Sequence, residues 1–166
     1  MNRHYNTAAY ENLILSISEA FDYPGIGTDV IVGFPTETDK YFQQTVDLIE
    51  KLPFSYLHIF PYSKRPGTQS SNIKNVIGDN IKTERARLLR SIGAAKKKYF
   101  AESQAGTIRE ALTLEAAGSG NKMRALSDNY IRLEISGKVP SNSIIKVKIL
   151  KYANGIASAE AVKETD

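Results

Sequence analysis

The hydrophobic period of this chain changes at Ala105-Gly106, and that change constrains the fold more than any other feature. Upstream, apolar residues recur every three or four positions, as in helices, around two short apolar strands. Downstream they alternate one by one, the pattern of half-buried strands. Helical stripes and alternating strands bury their faces in different layers. Two modules are therefore expected, residues 1–103 as α/β and residues 104–166 as all-β.

In the first module, Tyr10, Leu13, Ile14, Ile17 and Phe21 form the stripe of an amphipathic helix. Asn6 or Thr7 can cap its start and Pro24-Gly25 ends it. A strand at Gly27–Gly33 follows. A second helix has Phe42, Val46, Ile49 and Leu52 as its apolar face and stops at Pro53. Thr36 or Thr38 can cap it, and Thr36 with Asp39 resembles a capping box. A second strand, Ser55–Phe60, runs into Pro61-Tyr-Ser-Lys-Arg-Pro-Gly-Thr68. Helix, strand, helix, strand at this spacing predicts β/α units with a parallel sheet. Residues 69–78 read as a connecting loop. A long helix is expected from Asp79 to about Ser103, with Ile81, Leu88, Ile92, Ala95 and Tyr99 inward. Lys82, Arg85, Arg87, Arg90, Lys96, Lys97 and Lys98 would lie on its other face.

Two parallel strands cannot close a barrel or cover both faces of a sheet, and parallel sheets are normally larger and buried on both sides. Strand Gly27–Gly33 is apolar on both faces. Residues 1–103 are therefore expected to be the last part of a larger β/α domain, with Met1 internal to a longer protein.

In the second module, Ile131, Leu133 and Ile135 alternate with Tyr130, Arg132 and Glu134. Ile145, Val147 and Ile149 alternate with Lys146 and Lys148. Asn154-Gly155 is a type I′ hairpin signal. Strands near 107–115, 122–126, 129–136, 144–151 and 156–161 would suit a small antiparallel barrel of the oligonucleotide-binding kind.

Charge separates along the same line. The net charge is +4, but residues 1–78 carry 6 Lys/Arg against 8 Asp/Glu, whereas residues 79–166 carry 16 against 10. A basic second half favours a polyanionic partner, nucleic acid foremost; a merely solvated surface is the alternative. With no cysteine, the chain has no disulfide, no thiolate metal site and no cysteine nucleophile; two histidines, His4 and His58, do not suggest a histidine metal site. No membrane-length apolar run and no apolar signal core are present, so a cytoplasmic location is expected.

Five segments carry a family resemblance: MNRHYN (1–6), GTDVIVGFPTET (27–38), LHIFPYSKRPGT (57–68), KTERARLL (82–89) and DNYIRLEI (128–135). Together they resemble the C-terminal portion of the radical S-adenosylmethionine (SAM) tRNA methylthiotransferases. LHIFPYS and DNYIRLEI are most similar to the branch acting on N6-threonylcarbamoyladenosine. The resemblance implies the last two β/α units of a radical SAM partial barrel, followed by a TRAM domain, an oligonucleotide-binding-like barrel that binds tRNA. It implies a parent enzyme using SAM and 4Fe-4S clusters, with a 5′-deoxyadenosyl radical breaking the adenine C–H bond. The family's CxxxCxxC motif is absent here, so this chain alone is expected to bind no cluster and to be inactive. Its partners would be tRNA and the missing N-terminal part of the enzyme, and the exposed sheet would favour self-association. The alternatives are a stand-alone RNA-binding module, or a fragment of the branch acting on isopentenyladenosine tRNA or on a ribosomal protein.

The resemblance also assigns candidate residues. Radical SAM barrels carry a GxIxGxxE motif on the penultimate strand, against the adenine of SAM. Ile31 and Gly33 fit it; Asp29 stands in place of the first Gly and Thr36 in place of the Glu, at a position where the family usually has Gly. Strand alternation puts Asp29, Ile31 and Gly33 on one face, expected to look into the barrel. Gly33-Phe34-Pro35 would form a β-to-α loop at the ligand-binding ends of the strands. Phe60, Tyr62, Ser63 and Arg65, in the next such loop, complete the expected cofactor set. In the TRAM-like barrel, Arg132, Lys146 and Lys148 are expected to line one outward face with Tyr130, extended by Arg109, Lys122 and Arg124, as an RNA surface.

Overall fold

The computed structural model describes residues 4–116 and 121–162 and divides into two compact units, residues 1–97 and 98–166. The division falls inside a helix rather than after it, at 104, because the last turns of that helix pack on the second unit's core.

In the first unit, α1 (Thr7–Ala20) is capped by Asn6, whose side chain accepts a hydrogen bond from the Ala9 amide at 2.9 Å. Thr7 is already helical. Only Ile14 of its stripe is fully buried, with Tyr10 and Ile17 half-buried; Leu13 and Phe21 are exposed, contrary to the spacing-based expectation. Strand β1 (Gly27–Val32) pairs in parallel with β2 (Tyr56–Pro61), with Asp29 opposite His58 and Ile31 opposite Phe60. Between them α2 (Asp39–Lys51) buries Phe42, Val46 and Ile49, as its period requires. Thr38 is its cap. Thr36 is not, since it sits in the loop at φ 76°. A short 3-10 turn (Gln69–Asn72) interrupts the expected loop before α3 (Asp79–Ser103).

The phase of α3 differs from the expected one. Ala86, Leu89 and Gly93 are buried, whereas Ile81, Leu88 and Tyr99 are exposed. The buried stripe also includes Arg85 and the half-buried Lys82 and Lys96. These long side chains pack their stems and satisfy their heads, so a polar residue can occupy an inward position.

Helices α2 and α3 cover one face of the two-stranded sheet, through Val30, Val32, Leu57 and Ile59. The opposite face is bare. It carries Asp29, Ile31, His58 and Phe60, all exposed, with Ile31 at 40% and Phe60 at 50%.

In the second unit, β3 (Ile108–Ala116), β4 (Lys122–Ser127), β5 (Arg132–Ser136), β6 (Ile144–Ala153) and β7 (Ile156–Ala161) form a closed barrel in the order β3-β4-β5-β7-β6. The barrel is not wholly antiparallel: β5 and β7 pair in parallel, because the β6–β7 hairpin returns beside β5. Closure removes the sheet edges. Alanines 111, 125, 157 and 159 share the core with Leu133, Ile135, Val147 and Ile149, a small-and-large mixture that fills a narrow barrel. Asn154 and Gly155 both have positive φ, giving the expected I′-type turn.

Candidate functional site

The bare sheet face gathers four side chains that the register requires to be neighbours. Asp29 and His58 lie side by side, with Ile31 and Phe60 one pleat further toward the carboxyl ends of the strands. The Tyr56 ring stands edge-on to His58, with centroids 5.5 Å apart, and lies over Gly27, where a Cβ would meet it at 2.1 Å. A larger residue at 27 would have to push the Tyr56 ring aside. Asp29 is exposed and pairs with no cation among the described residues. Polar and apolar groups therefore share a face that the described residues leave open.

The loops beyond β1 and β2 meet above this face. Phe34 packs edge-on against Tyr62 at 5.3 Å, and Tyr62 N donates to Val32 O at 2.8 Å. The Tyr62 hydroxyl donates to Ser70 Oγ at 3.1 Å. Gly33 and Pro35 are buried, whereas Ser63 and Arg65 are exposed on the second loop. Gly33 has φ 72° and the Lys82 side chain lies against it, so a side chain there would be strained and would have to displace Lys82.

An ion-pair clamp that no motif reading identifies holds the first loop. Glu37 Oε2 accepts from Gly33 N at 2.7 Å and from Arg85 Nη1 at 2.5 Å. Arg85 also donates to Glu37 O and to Asp39 Oδ1, and its guanidinium lies 5.1 Å from the centre of the Phe42 ring. The carboxylate that meets Gly33 is thus one residue beyond the position where the GxIxGxxE spacing looks for it. Thr36 takes up the extra residue in a left-handed conformation, with its amide donating to Asn75 O at 3.2 Å.

The barrel divides the expected RNA-binding cations into three groups and sets Tyr130 apart from them. Arg109, Lys122 and Arg124 are ion-paired, to Asp128 at 2.8 Å, Glu134 at 2.9 Å and Glu115 at 3.0 Å. Lys146 and Lys148 are exposed on β6, two residues apart and on one side of the strand. Arg132 is exposed on β5, opposite Leu126 of β4. Because β7 lies between β5 and β6, Arg132 is not on the same strand pair as the two lysines. Tyr130 precedes β5 rather than belonging to it, in a turn at φ 67°, with 64% of its surface exposed. That turn is held from within: Ser127 Oγ donates to Asn129 Oδ1 at 2.7 Å, and Asn129 Nδ2 donates to Gln104 Oε1 at 3.0 Å. Buried polar groups that satisfy one another fix a unique geometry, and here they present an aromatic ring to solvent.

Iron–sulfur ligation finds no match here. The chain has no cysteine, and no cluster of three or more metal-ligating side chains exists among the described residues. Likewise, no described helix is long and apolar enough to cross a membrane.

A parallel β/α unit followed by a closed five-stranded barrel defines a two-module α/β and all-β protein. No family model matches the chain. Individual proteins do. It is 38% identical over 149 residues to the threonylcarbamoyladenosine tRNA methylthiotransferase MtaB of Aquifex aeolicus, covering 90% of this chain and 35% of that protein. It is 32% identical over 155 residues to the protein of the same name from Bacillus subtilis, covering 91% and 34%. It is 31% identical over 151 residues to the tRNA-2-methylthio-N(6)-dimethylallyladenosine synthase of Aquifex aeolicus, covering 91% and 34%. The chain is thus a relative of the radical SAM tRNA methylthiotransferases, as its GFPTET and FPYSKRPGT segments indicate, and it spans about a third of the length of the relatives it matches.

Proposed function

We propose that this chain is the C-terminal part of a cytoplasmic tRNA methylthiotransferase acting on N6-threonylcarbamoyladenosine. Its β/α unit supplies the closing strands of a radical SAM partial barrel, and its barrel is a TRAM-type tRNA-binding module. The observation that carries the reading is the 38% identity running through 90% of the chain, and so through both modules. The bare face of β1 and β2 supports it, since a sheet with Asp29, Ile31, His58 and Phe60 uncovered has the composition of a cavity wall rather than of a solvent surface. The 38% identity to the threonylcarbamoyladenosine enzyme of Aquifex aeolicus, against 31% to the dimethylallyladenosine synthase of the same organism, favours that branch.

On this reading the chain contributes positioning, not ligation. The Gly33–Pro35 loop, fixed by Glu37 and Arg85, and the Tyr62 loop form one side of the SAM pocket, while cluster ligands come from another part of the enzyme. The test is genetic and chemical. Deleting the gene and digesting total tRNA for mass spectrometry should abolish the methylthio derivative of threonylcarbamoyladenosine and leave that of dimethylallyladenosine unchanged. Loss of the second instead would move the assignment to the other branch, and loss of neither would remove the enzymatic reading.

A further inference from the structure

Helix α3 carries six basic side chains and no acidic one between Glu84 and Glu102. Three of the six are engaged within the fold. Arg85 is buried against Glu37, Lys96 donates to Glu50 O and Leu52 O, and Lys98 lies 3.8 Å from Glu102. The other three, Arg87, Arg90 and Lys97, are exposed and have no partner among the described residues. At ~100° per residue they fall within an arc of about 80°, along roughly 15 Å of helix. Ala94 lies between them on the same arc and is also exposed, so nothing bulky obstructs the stripe.

A helix face that merely faces water normally intersperses carboxylates three or four residues away, because such pairs stabilise the helix and like charges at that spacing destabilise it. Arg87 has Glu84 three residues before it, but neither Arg90 nor Lys97 has a carboxylate three or four residues away along the helix. Ala86 and Leu89 seat α3 in the core, and its exposed apolar residues, Ile81, Leu88 and Tyr99, lie on a different side of the helix from the three cations. A row of unpaired cations, two of them arginines, fits the phosphates of a nucleic-acid backbone.

We infer that Arg87, Arg90 and Lys97 form a second RNA-backbone contact, separate from the cations of the barrel. This rests on the reading of the partner as tRNA and names a surface for it that the barrel does not provide. Its role is positioning: phosphate contacts fix register and orientation without reading sequence.

The test uses the whole chain and an unmodified tRNA transcript, titrated by fluorescence anisotropy at several salt concentrations. Replacing Arg87, Arg90 and Lys97 together by Ala should reduce the log–log salt slope by about 2 to 3 and weaken binding at least ~10-fold at low salt. Because the chain has no cysteine, Ala94→Cys offers a single site for a benzophenone cross-linker, with Ser16→Cys on α1 as the control. Ala94→Cys should cross-link to the RNA and Ser16→Cys should not. If the chain binds tRNA but the triple variant keeps its slope and Ala94→Cys yields no cross-link, the α3 surface is overturned while the tRNA reading stands. If the chain binds no tRNA at low salt, or binds anionic vesicles instead, both are overturned. Circular dichroism of the triple variant checks that its helix content is unchanged.

Discussion

Arg85 and Glu37, 48 residues apart in sequence, meet at 2.5 Å with their side chains only 6% and 12% exposed. Breaking a buried pair leaves an uncompensated charge, which costs about 3 to 5 kcal/mol. Arg85→Ala should therefore destabilise the first unit by about 3 kcal/mol and free the Gly33 amide, whose acceptor is the same carboxylate. Hydrogen exchange at Gly33 should accelerate strongly. Asp39→Asn is the contrasting case. Asp39 is almost fully exposed, so its pairing with the same guanidinium should be worth under ~1 kcal/mol. Equal effects from the two substitutions would show that the clamp is not centred on Glu37.

This clamp is the least legible part of the site. Gly33, Phe34 and Pro35 are readable because a strand that ends in Gly-Phe-Pro must turn, and turning chemistry is local. Arg85 belongs to a helix far along the chain, and its residue type suggests a solvent face. Periodicity alone places α3 with Leu88 inward, whereas tertiary packing selects Ala86 and Leu89 and draws Arg85 in with them. The barrel is easier, since strict alternation identifies Leu133, Ile135, Val147 and Ile149 as core. Alternation says which residues face out, but not which strands become neighbours, so it groups Arg132 with two lysines that β7 separates from it. His58 carries no motif that marks it; only the parallel register sets it beside Asp29.

Thr36 holds φ 76°, a left-handed conformation that a β-branched side chain adopts only at a cost of about 1 to 3 kcal/mol. The residue is exposed, and the hydrogen bond it makes here uses its backbone amide, which glycine retains. Glycine adopts this conformation freely but loses about 0.5 to 1 kcal/mol more chain entropy on folding. Thr36→Gly should therefore raise stability, by roughly 1 kcal/mol, as measured by urea unfolding. A loss of stability would mean that the Thr36 side chain contributes more than its strain removes.

Burial pushes the Lys96 ammonium below its ordinary pKa, with nearby Glu50 opposing part of the shift. The unfolded chain then holds more protons than the native one between the lowered value and the ordinary ~10.4. Stability contributed by this group rises with pH across that window, and below it the burial cost of the charge is fully present. The neutral amine keeps donors for Glu50 O and Leu52 O, which lie at 3.0 and 2.8 Å. The stability advantage of the wild type over Lys96→Met should accordingly widen as pH rises toward ~10.4. A gap that narrows over the same range, in paired denaturation series, would reverse the sign of this assignment.

The uncovered sheet predicts association of the isolated chain. Among the described residues β1 and β2 pair only with each other, so each leaves an edge with unpaired backbone groups, beside the exposed Ile31 and Phe60. Light scattering should show dimers or larger species at high protein concentration, and Ile31→Ser with Phe60→Ser should reduce them. A monomer with a sharp, cooperative melt would count against the reading of this face as a covered wall in a larger enzyme.

The barrel cations make a separable prediction because the fold divides them. Lys122 and Arg124 already face carboxylates at 2.9 and 3.0 Å, so RNA must compete with Glu134 and Glu115 for them. Arg132, Lys146 and Lys148 form no ion pair among the described residues, although the register sets Glu110 opposite Lys146 and Glu160 opposite Lys148 on neighbouring strands. Removing one cation that neutralises a phosphate should lower the log–log salt slope of tRNA binding by somewhat under ~1. Replacing Lys146 and Lys148 by Ala should therefore cost nearly two units of slope, and Arg132→Ala nearly one. Lys122→Ala should cost little. Tyr130→Ala should weaken binding by about 1 to 3 kcal/mol without flattening the slope, since a base stacked on the ring releases no counterions. Anisotropy titrations at several salt concentrations measure all four. If Lys122→Ala alters the slope as much as the Lys146 and Lys148 pair does, exposure and free charge are not what select the RNA-facing side of the barrel.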